Sequence, residues 1–112
     1  MQNVILEKTF AFSLNIIEFT ENLEGMRKFN MANQLFRSGT SIGANAREAQ
    51  NPHSRADFIA KLKISAKEAE ETEYWLLLCE RSKSYPNPEN LIDDLIEIKK
   101  ILTAIISTSR RK

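Results

Sequence analysis

Four stretches of apolar residues recur at helical spacing along the chain, separated by short polar links. In the first, Leu6, Phe10, Leu14 and Ile17 fall on one stripe and Ile5, Phe12, Ile16, Phe19 and Leu23 on another. At 100° per residue their centres lie roughly 140° apart. Two stripes on one helix fit either a wide face buried inside the subunit or a second face covered by another copy. In the second stretch Met31, Leu35, Ser38, Ile42, Asn45 and Ala49 alternate spacings of four and three, so the core stripe carries a serine and an asparagine. The third holds the seam Phe58, Leu62, Ser65, Ala69, Thr72, Leu76 and Cys79, with small residues in its middle. Beside it run Asp57, Lys61, Ile64, Glu68, Glu71, Trp75 and Leu78, apolar at the ends and acidic between. That mixture predicts a neighbouring helix over part of the seam, and a cation, Arg37 or Arg47, beside Glu68 and Glu71. The fourth seam is Leu91, Leu95, Ile98, Leu102 and Ile105, widened by Ile92, Ile96, Ile101 and Ile106.

The punctuation between these stretches places helices at about 3–24, 30–50, 54–84 and 88–108. Gly25 suits the left-handed position after a helix, and Asn30 suits the start of the next. Asn51-Pro52 breaks the second helix, and Ser54-Arg55-Ala56-Asp57 opens the third with an aspartate version of the capping box. Asn87 as N-cap with Pro88 at the first helical position would start the fourth, and Arg110-Arg111-Lys112 would close the chain as a frayed tail. Short links make neighbouring helices antiparallel, so the expectation is all-α: one up-and-down four-helix bundle over residues 1–112. Gly39 and Gly43 each cost a helix interior roughly 1 kcal/mol relative to alanine, which predicts that another backbone comes close there. The third helix is the expected neighbour. Ser41, Asn45 and Glu48, in line at i, i+4 and i+7, would supply hydrogen bonds to that joint.

Composition adds limits. A chain of 112 residues with three glycines and three prolines suits one helical domain. Its longest apolar run, Tyr74 to Cys79, is far shorter than the roughly 20 residues that cross a bilayer, so no membrane association is expected. The single Cys79 and the absence of a signal-peptide pattern at the start point to a reducing cytoplasm. The formal net charge of +1 hides segregation: −3 over residues 1–26, +6 over 27–67, −7 over 68–97 and +5 over 98–112. Folded up and down, the chain collects about +6 at one pole, from Lys8, Arg47, Arg55, Lys61, Lys63, Lys67, Lys99, Lys100, Arg110, Arg111 and Lys112 against five carboxylates. Such a pole serves interhelical pairing and solubility, or it is a platform for nucleic acid or an acidic protein partner.

Catalytic patterns are missing. The only histidine, His53, follows Gln50 by three residues, so the Glu-x-x-His motif of carboxylate-bridged metal bundles is absent, and Glu48, Glu68 and Glu71 alone make a poor ligand set. Gly39-Thr40-Ser41-Ile42-Gly43 matches neither a phosphate loop nor a dinucleotide fingerprint, and Ser41 and Cys79 lack a local base. No enzyme activity, cofactor or metal is expected.

Ser41-Ile42-Gly43-Ala44-Asn45-Ala46-Arg47-Glu48-Ala49 resembles the Ser-Ile-x-x-Asn-x-x-Glu-Ala/Gly signature of the 23S rRNA intervening-sequence proteins, a family of small bacterial four-helix bundles. Residues 54–62 and 67–76 resemble its second block, so Ser41, Asn45, Glu48, Glu68, Glu71 and Trp75 are the signature positions. The resemblance implies a ring-like homopentamer. It also implies kinship with the accessory variability proteins of diversity-generating retroelements, which are similar pentamers that bind nucleic acid and a reverse transcriptase. With that assembly in view, Phe12, Ile16, Phe19, Ile64, Trp75 and Leu78 are expected at subunit interfaces. Structured RNA or DNA would meet Arg47, Arg55, Lys61, Lys63, Lys99, Lys100, Arg110, Arg111 and Lys112 at the basic pole. The alternative is a protein-interaction scaffold that binds no nucleic acid.

Overall fold

Asn3 starts the first helix, its side-chain carbonyl accepting the Leu6 N–H at 3.4 Å. The computed structural model describes residues 3–111. It contains α1 (Val4–Gly25), α2 (Phe29–Glu48), α3 (Arg55–Arg81) and α4 (Leu91–Arg111), and among the described residues there is no strand. Each helix packs on its neighbours in sequence and α4 returns to α1, closing the antiparallel four-helix bundle in a body 47 × 23 × 20 Å. The α1/α4 seam is the thinnest of the four.

Helix ends depart from expectation at several places. Gly25 is the last residue of α1, and Arg27, not a glycine, takes the left-handed conformation after it (φ 63°). The Lys28 N–H reaches the Leu23 carbonyl at 2.8 Å and the Arg27 N–H the Glu24 carbonyl at 2.9 Å, the paired bonds of a Schellman motif. Those two bonds, with the Arg27 guanidinium 6.0 Å from the Phe29 ring, hold a conformation that arginine adopts reluctantly. Consequently α2 starts at Phe29 without a side-chain cap, and Asn30 lies inside it. Similarly, α4 starts at Leu91 rather than Pro88: Pro88 is buried, Glu89 is left-handed (φ 53°), and Asn87 accepts the Glu89 N–H at 2.7 Å, closing a turn ahead of the helix. Ser54 caps α3 as expected, accepting the Asp57 N–H at 3.0 Å, but α3 ends at Arg81, before residue 84. Arg110 and Arg111 belong to α4, not to a frayed tail; Lys112 lies outside the described residues.

The α1 stripe of Ile5, Phe12, Ile16, Phe19 and Leu23 is core. Phe12, Ile16 and Phe19, expected at a subunit interface, are 2%, 0% and 9% exposed within the single subunit and have no surface to offer a neighbour. The other stripe is the outer one. Phe10 and Leu14 are at least half exposed, with Leu6 and Ile17 partly covered. On α2 the buried set is Ala32, Leu35, Ser38, Gly39, Ile42, Ala46 and Ala49; Met31 and Asn45 sit at its margin. The α3 seam from Leu62 to Cys79 is fully buried, with Phe58 packed at its edge, and Ile106 rather than Ile105 closes the α4 seam.

Polar groups inside the core are paired. Ser65 donates to the Ile42 carbonyl at 2.7 Å, and the Ser38 and Thr72 hydroxyls hydrogen-bond at 2.9 Å, fastening α3 to α2. Among the described residues no buried side-chain polar atom lacks a partner. The glycines face the other way. A Cβ on Gly39 would sit 2.8 Å from the Ile16 side chain, and one on Gly43 would sit 3.1 Å from Thr9, so both admit α1 rather than α3.

The glycines make opposite predictions. Gly39→Ala should destabilise the bundle by about 1–3 kcal/mol, because fully buried Ile16 cannot move aside and overpacking outweighs the gain in helix propensity. Gly25→Ala, with nothing within 4 Å of the added methyl, should stabilise by about 0.5 kcal/mol. Urea denaturation of the two variants measures both.

Candidate functional site

The signature residues split into two groups. Ser41 donates to the Arg37 carbonyl and Asn45 to the Ser41 carbonyl at 2.8 Å, so these side chains bond back to their own helix. They do not form the α2/α3 joint, whose buried hydroxyls are Ser38, Ser65 and Thr72. Glu48 does cross it, 3.6 Å from Lys61 on α3.

Glu68, Glu71 and Trp75 form a network on the outside of that joint. Arg37 of α2 pairs with Glu71 and, at 3.5 Å, with Glu68, while its guanidinium also donates to Gln34. The Trp75 indole N–H donates to Glu71 at 3.1 Å, and Tyr74 meets the Trp75 ring edge-on at 5.3 Å. The expected cation is therefore Arg37; Arg47 is a turn and more beyond reach, exposed in a shallow cleft with Leu6, Phe10 and Leu14 of α1. Ile64 and Leu78 lie on the same side as this network, 45% and 40% exposed, and Trp75 is half-buried between them. These three remain surface residues, as an interface role requires. Phe36 of α2, 49% exposed, escapes a reading by periodicity because it stands one position outside the core stripe.

The basic residues also divide. Lys61 is engaged by Glu48, and Lys8 by Glu97 at 3.0 Å. Lys99 lies at mid-height against α3, between Glu70 at 2.9 Å and Glu73 at 2.6 Å, and so belongs to the bundle's waist rather than its pole. The hydrogen bonds it donates to Glu73 and then to Glu70, partly opposed by burial, hold its ammonium above the usual lysine pKa. By contrast Arg47, Arg55, Lys63, Lys67, Lys100, Arg110 and Arg111 are exposed, and none takes part in an ion pair among the described residues. Arg47, Arg55, Arg110 and Arg111 gather where α2 and α4 end and α3 begins, while Lys63, Lys67 and Lys100 carry positive charge down toward the waist.

Cys79 is buried in the α3 seam, and burial pushes its thiol up to about 11, away from the thiolate a nucleophile needs. His53 sits exposed in the α2/α3 link, where its backbone N–H donates to Asp57 at 3.1 Å. Among the described residues no group of three or more His, Cys, Asp or Glu side chains is placed to hold a metal ion, and no helix is long and apolar enough to cross a membrane.

An all-α up-and-down bundle with a Ser-Ile signature on α2, a Glu-Trp network on α3 and an uncompensated basic end defines a class of small helical proteins. Residues 1–104 match the profile of the 23S rRNA-intervening sequence proteins, and the chain belongs to that family. It is also similar to a protein of unknown function from the S23 ribosomal protein family of Bacteroides thetaiotaomicron VPI-5482, solved by crystallography. The two are 46% identical over 91% of this chain and 97% of that one, with a TM-score of 0.86. Neither the family's description nor the neighbour's names an enzymatic activity. No curated protein matches the chain.

The Lys99 pairs have a pH signature. Because the folded pKa is raised above 10.5, their contribution is fully present below pH 10.5 and is lost as pH climbs through the folded value. The stability difference between the wild type and Lys99→Met, from denaturation at a series of pH values, should be constant through neutral pH and shrink above 10.5.

Proposed function

We propose that this chain is a non-enzymatic, cytoplasmic homo-oligomer, pentameric like the proteins its signature resembles, that binds structured RNA through its basic end. The carrying observation is the clustering of seven exposed, unpaired cations at and below the basic end, against Lys8, Lys61 and Lys99, which the fold has already paired; Arg27, Arg81 and Lys83 are also exposed and unpaired but lie at the opposite, acidic end. Unpaired arginines and lysines gain most from phosphate, because no ion pair has to be broken before counterions are released. Arg47, Arg55, Lys63, Lys100, Arg110 and Arg111 are the phosphate-binding residues in this reading, with Lys67 beside them; Lys61 and Lys99 are withdrawn from it as structural. A phosphate-reading end suits RNA recognised by shape, which needs no base-specific pocket. The exposed apolar positions Phe10, Leu14, Ile64 and Leu78 support assembly, since surfaces of that kind are costly on a free subunit.

Arg55→Glu, Lys63→Glu and Lys100→Glu together should lower affinity for a structured RNA by at least about tenfold at low salt and flatten the salt dependence by about one log–log unit for each phosphate no longer neutralised. Lys61→Glu should do much less. Filter binding across a salt series, with circular dichroism to confirm helicity, measures both. Wild-type protein that is free of nucleic acid by its 260/280 nm absorbance ratio and shows no low-salt gel shift would replace this reading with a protein-interaction scaffold.

A further inference from the structure

We propose that the ligand is double-helical, A-form RNA, and that it lies with its minor groove across the α3/α4 face, one strand's phosphates on Lys63 and Lys67 and the other's on Lys100 and Arg111. This rests on the RNA reading above and names the form of RNA and the surface that meets it. Register places the four cations. Lys99 of α4 stands between Glu70 and Glu73 of α3, and the two helices run antiparallel, so each turn along α4 toward the basic end is matched by a turn back along α3. Thr103 is then level with Lys67 and Ser107 with Lys63, to within about one turn, roughly 5 Å. Lys63 and Lys67 precede Glu70 by seven and three residues, which sets them on the stripe of α3 that Lys99 reaches. On α4, Lys100, Ala104, Ser107 and Arg111 follow one another at spacings of four, three and four, so they too share a stripe. Between the two stripes the surface is low: Ile96, Lys99, Lys100, Thr103, Ala104 and Ser107 line one shallow trough of about 570 Å³.

On the basic side of the waist the charge of this face has one sign. From Ile98 to Arg111, α4 carries four cations and no carboxylate. From Arg55 to Lys67, α3 carries one carboxylate, Asp57, a turn before Lys61 on the side that faces α2. At the waist Lys99 engages Glu70 and Glu73, and on the far side of α4 Lys8 engages Glu97. Exposed Glu80 and Asp93 lie beyond the waist, so the phosphate-binding stretch is the run from Lys100 to Arg111, about 16 Å of helix. Width selects the duplex. Helix axes in a bundle stand roughly 8–10 Å apart, so cations on two neighbouring helices span more than the about 6 Å minor groove of B-DNA and suit the wide, shallow one of A-form RNA. Thr103 and Ser107 stand inside the area that these cations enclose, and their hydroxyl protons are free. Thr9, Thr40 and Ser41 each donate to a carbonyl one turn back, whereas among the described residues Thr103 makes no side-chain hydrogen bond and Ser107 only accepts one, from Arg111 at 3.4 Å. The 2′-hydroxyl that such donors would meet in the minor groove is present in RNA and absent from DNA. Phe58, the only aromatic residue over Arg55–Lys67 and Ile98–Arg111, packs on the core, so unpaired bases have nothing here to stack on.

Fluorescence anisotropy with a blunt-ended RNA duplex, a DNA duplex of the same sequence and one strand of that RNA tests this. Wild type should bind the RNA duplex most tightly of the three. Thr103→Glu and Thr108→Glu add the same charge at exposed positions of one helix, but only Thr103 lies in the trough; Thr108 is turned toward the α1 side. Thr103→Glu should lower affinity for the RNA duplex at low salt by at least about tenfold, and Thr108→Glu by less than about threefold. Thr103→Val with Ser107→Ala, which leaves the charge unchanged, should weaken RNA-duplex binding by about fivefold and leave DNA binding as it was. Equal losses from the two glutamate variants would show that the net charge of the end governs binding and would overturn this face. Equal wild-type affinity for the two duplexes, or tighter binding of the single strand, would overturn the A-form assignment while the basic-end reading stands. Binding to none of the three probes at low salt would overturn both.

Discussion

Close approach at α2 is the constraint on which the bundle depends. One edge of this helix is stripped to glycine so that Ile16 and Thr9 can press against its backbone; the adjoining edge offers a carbonyl and a serine hydroxyl to Ser65 and Thr72. The two edges differ in kind. Toward α1 the fit is purely steric, won by leaving out side chains; toward α3 it is directional, set by hydrogen bonds whose groups would be costly to bury alone. Together they fix the heights of α1 and α3 relative to α2, and through α2 relative to each other. The spacing of every surface feature follows from that register.

The family signature accordingly has two layers. Ile42 and Gly43 act inward, at the two edges just described, whereas Ser41 and Asn45 satisfy themselves on backbone carbonyls of their own helix and Glu48 reaches Lys61 at the rim. The Glu68, Glu71 and Trp75 group is likewise held by contacts within the subunit. Arg37 neutralises the carboxylates, and Glu71 holds the indole edge, which leaves the Trp75 ring partly presented on a face it shares with Ile64 and Leu78.

The architecture was legible in the sequence because it depends on period. The α3 and α4 seams needed little beyond counting, apart from Ile106 taking the place of Ile105. Where two solutions shared a period, counting failed. Both α1 stripes are apolar, and the choice of Phe12, Ile16 and Phe19 as an outer face was reversed by the glycines, since only that stripe can fill the space Gly39 leaves. Helix ends failed for another reason: Arg27 and Glu89 occupy left-handed positions that composition assigns to glycine or asparagine, and the bonds that hold them depend on residues across the link. Among the basic residues, formal charge could not separate the paired Lys61 and Lys99 from the unpaired Lys63 and Lys100, because partners on another helix have no periodic signal.

The thin seam between α1 and α4 gives the two halves of the molecule different mechanical roles. Helices α1, α2 and α3 are interlocked by glycine packing and buried hydroxyls, while α4 closes the bundle mainly through aliphatic side chains, the Lys99 pairs and the surface pair Lys8–Glu97. The apolar patches of Phe10, Phe36 and Ile64 all belong to the interlocked three. Lys100, Arg110 and Arg111 ride on the fourth. A helix attached this way can shift against its neighbours at lower cost than any other element, so the cations on it are less tightly fixed in position than the apolar patches on the interlocked three.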